Sequence, residues 1–251
     1  MRIRTRLLLR WREWELRRRP GRSRLTGTHW AVLAGFAATA VFVASALGPP
    51  EPPSPVDPGL VSTARQRLSV VPVLPSRPAH RSDYRREAFG QAWTDDAGIS
   101  GSGNGCDTRN DVLARDLQVT ARTPTSSCPT AVAAGRLRSP YTGADLVFRR
   151  GRGSAAVQID HVVPLSYAWD MGAWSWTAAT RTALANDPAN LLAVDAASNQ
   201  AKSDAEPARW MPALRGFRCP YSVQFVAVLS AYRLPVDEPS RRVLASALER
   251  C

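Results

Sequence analysis

The run VQIDHVVPLS, residues 157–166, carries an acid and an imidazole side by side, Asp160 and His161, at the end of a β-branched stretch that Pro164 then breaks. Neighbouring residues on a strand point to opposite faces, so Asp160 and His161 cannot both enter one core, and one must face a site. A neutral imidazole can take a proton from water near neutral pH. Three more side chains follow at informative spacing: Asn190 opens a second apolar run, and Asn199 and Lys202 lie three apart on a helical stretch, hence on one face. Carboxylate and amide oxygens are hard donors suited to Mg²⁺. Types and spacing together mark the end of this strand as a place where chemistry is to be expected.

The elements that must position these residues read as a mixed α+β pattern. TRNDVLARDL from Thr108 has the spacing of a capped short helix. DLVF (145–148) and AVQIDHVV (156–163) read as strands separated by the turn RRGRGS. TAATRTALAND reads as a helix ending before Pro188, NLLAV (190–194) as a strand, and AASNQAKSDAE as a helix stopped by Pro207. SVQFVAVLSAY and PSRRVLASALER read as two closing helices. The local order around Asp160 and His161 is thus strand, insertion, strand, helix. Trp169, Trp174, Trp176 and Trp210 read as packing residues rather than as platforms for stacked bases.

Charge and composition divide the rest of the chain. Residues 1–29 hold ten Arg against Glu13 and Glu15, or +8 of the total +12. The uncharged run that follows has an apolar heart at residues 30–47, whose length as a helix is ~27 Å, just enough for a bilayer core. Arginines before the run and almost none after it put the basic head in the cytoplasm and the remainder outside. An anchor is the first reading; a signal cleaved after Ala46, at Ala44-Ser45-Ala46, is the second. Residues 48–80 contain nine prolines and read as an extended linker with His80 a solvated bystander, so that the folded domain is expected over 81–251.

All four cysteines, Cys106, Cys128, Cys219 and Cys251, fall in the exported part. None forms a C-x-x-C pair, which argues against structural zinc and for disulfides. Three pairings are open; the sequence-local one, Cys106 with Cys128 and Cys219 with Cys251, is the working expectation, each bond contributing roughly 3 kcal/mol.

IDHVVPLS, DPANLLAV and SNQAKSD together resemble the motif of the ββα-metal, or HNH, endonucleases in a form whose last histidine is replaced by asparagine. The resemblance is close over residues 157–206. FGQAW, GCDTRNDVLARDL, SPYTG, WMP and the last cysteine extend it, as a likeness to exported disulfide-containing members, over residues 84–251. It implies an α+β fold: a ββα-metal core within a mostly helical, disulfide-stapled domain that follows an N-terminal membrane segment. It also implies His161 as general base, Asn190 as the residue orienting it, and Asp160 and Asn199 as ligands of one divalent ion, Mg²⁺ first and Mn²⁺ as the alternative.

Phosphodiester hydrolysis asks for these residue types, since water must lose a proton and a cation must meet the charge growing on the phosphate. Lys202, the only lysine among 33 basic residues, reads as a phosphate-facing charge. Arg149, Arg150 and Arg152 before the motif strand, with Arg109, read as contacts to a nucleic-acid backbone, DNA before RNA. The competing reading is a nucleic-acid-binding or envelope interaction module on the same fold without catalysis. A serine hydrolase is disfavoured, because the chain has no G-x-S-x-G elbow.

The topology has a direct measurement. Protease added to intact cells is expected to degrade the body and spare the basic head; recovery of a soluble form beginning at Leu47 selects the cleaved signal instead.

Overall fold

The computed structural model describes residues 56–151 and 153–251; the basic head, the apolar run 30–47 and Arg152 lie outside the described residues. The first described element corrects the linker reading. Pro58–Val70 is a 13-residue helix, α1, whose N-cap Asp57 accepts from the Gly59 backbone N–H at 2.6 Å. Proline's fixed φ suits a first helical turn, so Pro58 begins a helix rather than extending a spacer. Val61, Ala64 and Leu68 recur at helical spacing and form its buried stripe.

That stripe joins the main core between two closing helices, α6 (Arg218–Ala231) and α7 (Glu238–Glu249). Beyond α1, β1 (Val73–Leu74) pairs in parallel with β7 (Val236–Asp237). The folded chain therefore begins by residue 57, well before Arg81. Residues 48–80 are not a spacer throughout, and His80, half exposed, is tied to the fold through Asp170.

The short helix α2 (Thr108–Asp116) starts one residue earlier than its capping pattern suggests: Asp107 is the N-cap and accepts from the Asn110 N–H at 2.8 Å. It packs on an antiparallel sheet of β2 (Gln118–Thr125), β3 (Cys128–Arg138) and β4 (Asp145–Arg149), in the order β2-β3-β4. Only β4 was legible beforehand. Pro124 falls within β2, and the middle of β3 holds Ala133, Ala134 and Gly135, residues with little strand preference. Gly135 is required there, since a Cβ would stand 3.0 Å from the Gln118 carbonyl oxygen.

A second core sits between α2, this sheet and the motif strand: Val112 and Leu113 meet Leu137, Phe148, Val157 and Ile159. The motif strand is β5 (Val157–His161), paired antiparallel with β6 (Leu191–Asp195) so that Ile159 faces Ala193 and His161 faces Leu191. Inserted between them are α3 (Leu165–Asp170) and α4 (Ala178–Asn186). After β6 comes α5 (Ala196–Lys202), capped by Asp195 through the Ser198 N–H at 2.8 Å. This helix ends before the expected stop at Pro207, because Ser203 takes a left-handed φ of 49°.

The architecture is mixed α+β and carries two disulfides. Cys106–Cys128 ties the loop before α2 to the start of β3, and Cys219–Cys251 ties the start of α6 to the residue beyond α7. Trp169, Trp176 and Trp210 pack in or against the main core, whereas Trp174 is exposed with the Arg81 guanidinium 4.5 Å over its ring. Among the described residues no helix is long and apolar enough to cross a membrane.

Leu68→Ala tests the place of α1. Deleting a buried leucine side chain is expected to cost about 2–5 kcal/mol, read as a lowered urea midpoint; a solvated linker would show no change.

Candidate active site

Both members of the acid–imidazole pair are largely buried, Asp160 at 4% exposure and His161 at 7%, and both line a cleft. Their faces do differ. Asp160 points to a polar node in which Tyr141 Oη donates to Oδ2 at 2.5 Å and Lys202 Nζ donates to Oδ1 at 2.9 Å. Lys202 Nζ also donates to the His161 carbonyl at 2.8 Å, and its side chain is wholly buried. Lys202 is therefore not a phosphate-facing charge. It is the internal counter-ion of Asp160 and binds the end of α5 to β5. Burial raises the Asp160 carboxyl, with Lys202 and Tyr141 pulling it back; burial likewise lowers the Lys202 ammonium, with Asp160 opposing.

His161 is held by the backbone. Its Nε2 lies 2.9 Å from the Ala185 carbonyl oxygen, which can only accept, so Nε2 carries the proton and Nδ1 keeps the lone pair. Burial, against the bond to Ala185 and helped by the charges of Arg86 and Lys202, lowers the imidazole to about 3 and keeps it neutral at neutral pH. The Trp93 ring lies nearly parallel to it, 5.9 Å between centroids and 13° between planes.

Asn190 does not touch the imidazole. It is fully buried, its Oδ1 accepts from the Val163 N–H at 2.8 Å, and its Nδ2 donates to the carbonyls of Val163 at 3.2 Å and Leu184 at 3.3 Å. The orienting group expected in Asn190 is thus the Ala185 carbonyl, while Asn190 clamps the backbone leaving β5 to the backbone at the end of α4. An amide, with donor and acceptor on one plane, suits that clamp.

Asp160, His161 and Asn199 line one cleft of about 430 Å³. Asn199 donates through Nδ2 to Gln158 Oε1 at 2.8 Å, which leaves its Oδ1 as the oxygen available to a cation. A second cleft of about 500 Å³ adjoins at His161 and is walled by Phe89, Trp93, Ala185 and Asn186. Arg86 lines both clefts.

The arginines singled out in the sequence go elsewhere. Arg109 Nη2 donates to the Val157 carbonyl at 3.2 Å, and Arg150 donates to the Val132 carbonyl at 2.9 Å and to Asn110. Arg149 is exposed on β4, and neither it nor Arg109 nor Arg150 lines either cleft. Arg152 falls outside the described residues.

Several cleft residues escaped the sequence reading: His80, Tyr84, Arg86 and Asp204. His80 Nδ1 stands 3.2 Å from both oxygens of Asp170, whose side chain is wholly buried. The same carboxylate receives Arg77 through Nε at 3.0 Å and Nη2 at 2.8 Å, and the Arg81 backbone N–H at 3.2 Å. Arg77 reaches on to Glu206 at 2.9 Å. The signal that could have found this group was the spacing of Val61, Ala64 and Leu68, which marks a packed helix upstream of His80.

A mixed α+β scaffold on which a helix-backed strand pair presents a buried acid, a neutral imidazole with a free Nδ1 and an amide oxygen to one cleft defines a candidate hydrolytic site. The chain belongs to the family described as GmrSD restriction endonucleases, C-terminal domain, whose model matches residues 107–246. It is therefore a member of a nuclease family. It is also 39% identical over 211 residues to a protein of Arthroderma benhamiae described as "Uncharacterized secreted protein", a match covering 82% of this chain and 93% of that one. No solved structure matches the chain.

Lys202→Ala separates the buried counter-ion from a phosphate contact. Removing one partner of a buried pair is expected to cost about 3–5 kcal/mol, measured by equilibrium urea unfolding; a surface phosphate contact would leave stability unchanged.

Proposed function

We propose that the protein is a metal-dependent endonuclease of the HNH, or ββα-metal, kind that hydrolyses phosphodiester bonds of nucleic acid outside the cytoplasm. The observation that carries this reading is the meeting of Asp160, His161 and Asn199 at one cleft, with His161 Nδ1 free to accept a proton. Its family membership supports a nucleic-acid substrate, with DNA the first expectation. Two disulfides and a relative described as secreted support an oxidising, extracytoplasmic setting. In this reading residues 1–29 form a cytoplasmic head and residues 30–47 an anchor or signal, with the enzyme domain beginning near residue 57.

The donor set fits a hard divalent ion. Among the described residues no three His, Cys, Asp or Glu side chains gather to hold a metal by themselves. The Asp160 carboxylate and the Asn199 amide oxygen supply two hard oxygens on one cleft wall, in keeping with Mg²⁺, which retains several waters and takes few protein ligands. When bound there, such an ion supplies charge stabilisation to the reacting phosphate. Lys202 and Tyr141 hold the Asp160 carboxylate in place from behind, each oxygen keeping lone-pair capacity toward the cleft. His161 Nδ1 takes the proton of the attacking water, and the Ala185 carbonyl fixes the tautomer that leaves Nδ1 unprotonated.

Incubation of the full chain with plasmid, single-stranded DNA and RNA, with Mg²⁺ or with chelator, tests the activity; no metal-dependent cleavage of any of them selects the non-catalytic binding module. Ligand and base separate by variant. Asn199→Ala and Asp160→Asn are expected to weaken Mn²⁺ binding in calorimetric titration and to regain rate at high Mn²⁺, since mass action offsets lost affinity. His161→Ala is expected to bind Mn²⁺ normally, to lose about 10²–10⁴-fold in rate and to gain nothing from added ion. Normal affinity in both ligand variants, or a loss confined to His161→Ala, would show that base and ligand have been exchanged.

A further inference from the structure

The hydrolytic reading assigns a group to take a proton from water but none to give one to the oxygen that leaves. Of the groups lining the catalytic cleft, most are unsuited to that task. The Arg86 guanidinium offers charge and hydrogen bonds rather than a transferable proton. Burial raises the Tyr84 phenol, which makes it a poorer donor. Burial pushes the Asp204 carboxyl up, but the Arg77 charge and the Ser166 hydrogen bond outweigh it and keep the group below its ordinary value, hence ionised. Ser166 and Ser203 are alcohols no more acidic than the leaving group itself. His80 is left.

Its setting is that of a supported imidazole. The ring is half exposed, lines the same cleft as Asp160, His161 and Asn199, and packs edge-on against Tyr84 with centroids 5.7 Å apart. Its Nδ1 faces the buried Asp170 carboxylate, so Nε2, across the ring, is the nitrogen open to the cleft. Asp170 is itself fixed by Arg77 and by the Arg81 N–H. A carboxylate held in this way keeps a proton on Nδ1 and turns Nε2 toward the cleft, so that in the imidazolium form the Nε2 proton is the one free to leave. None of His80, Arg77 or Arg81 falls within the family-matched residues 107–246, so the segment before them contributes this group.

We propose that His80 is a second catalytic imidazole, the general acid of the reaction, oriented by Asp170. As the water oxygen bonds to phosphorus, its proton passes to His161 Nδ1. The bond from phosphorus to the leaving oxygen breaks, the electron pair goes to that oxygen, and the oxygen takes the proton of His80 Nε2. The products are an alcohol and a phosphomonoester; His161 then returns a proton to solvent and His80 regains one.

The proposal rests on the hydrolytic reading of the same cleft, and its test keeps the two apart. The full-chain wild type, His80→Gln, His80→Ala and His161→Ala are assayed with Mg²⁺ on plasmid DNA and on bis(p-nitrophenyl) phosphate, whose phenolate leaves without a proton. Both His80 variants are expected to fall by about 10²-fold on DNA and by at least about tenfold less on the activated diester, while His161→Ala falls on both. His80→Gln keeps a donor for Asp170, and unchanged melting temperatures identify a chemical rather than a folding loss. Equal losses on the two substrates, or undiminished DNA cleavage by His80→Gln and His80→Ala, overturn the assignment. A wild type inert on both substrates overturns the hydrolytic reading as well.

Discussion

The ion pair between Lys202 and Asp160, closed by Tyr141 and the His161 carbonyl, is the interaction on which the site depends. A buried pair contributes little net stability, because desolvation consumes most of the Coulomb gain. Its value is geometric. Lys202 is the last residue of α5, and its two bonds, to the Asp160 carboxylate and the His161 carbonyl, fix that helix against β5 at the level of the acid and imidazole. At the other end of the motif, Asn190 fastens the chain leaving β5 to the end of α4. His161 lies between two clamped backbones, and its tautomer is set by a carbonyl from the second of them.

Positive charge is divided unevenly between the basic head and the folded body. Eight of the twelve net positive charges belong to residues 1–29. Many arginines of the body serve its own carbonyls: Arg115 reaches Pro188 and Leu191, Arg181 reaches Ala88, and Arg218 reaches Pro212. Guanidinium forks can gather several backbone acceptors at once, which suits loops that lack regular hydrogen bonding. Many other arginines of the body are exposed, and of these Arg86 is the one that lines both clefts.

The sequence disclosed the strand, insertion, strand and helix around Asp160 because β-branched runs and Pro breaks carry strong local signals. It also singled out Asp160, His161 and Asn199, which share a cleft. What it missed depended on partners distant in the chain. Lys202 read as a surface charge because nothing local announces a buried carboxylate 42 residues away. Asn190 clamps backbone rather than imidazole, a distinction of a few ångströms that spacing does not encode. Proline density hid α1, although its apolar residues kept helical spacing, and with it went His80 and Arg77. The β2–β3 hairpin, marked by Pro124 in one strand and Ala133, Ala134 and Gly135 in the other, lacks the apolar alternation that announces a strand, and the Cys106–Cys128 bond ties the start of β3 to the loop before α2.

The parallel pairing of β1 with β7 has a kinetic side. Only two residues on each strand take part, Val73 with Val236 and Leu74 with Asp237, and α1 completes the closure by packing between α6 and α7, with Arg65 donating to the Leu248 carbonyl 183 residues away. Contacts between such distant parts of a chain form late, since the loop entropy must be lost before they return anything. The hairpins and the β5–β6–α5 unit, built from nearer residues, can assemble first. The strap from β1 through Arg77 to His80 is held by that two-residue ladder and by Arg77, which bonds Asp170, the Asp204 carbonyl and Glu206. One wall of the cleft is thereby set by contacts between distant parts of the chain, while the opposite wall, carried by β5 and α5, is built from residues nearer in sequence.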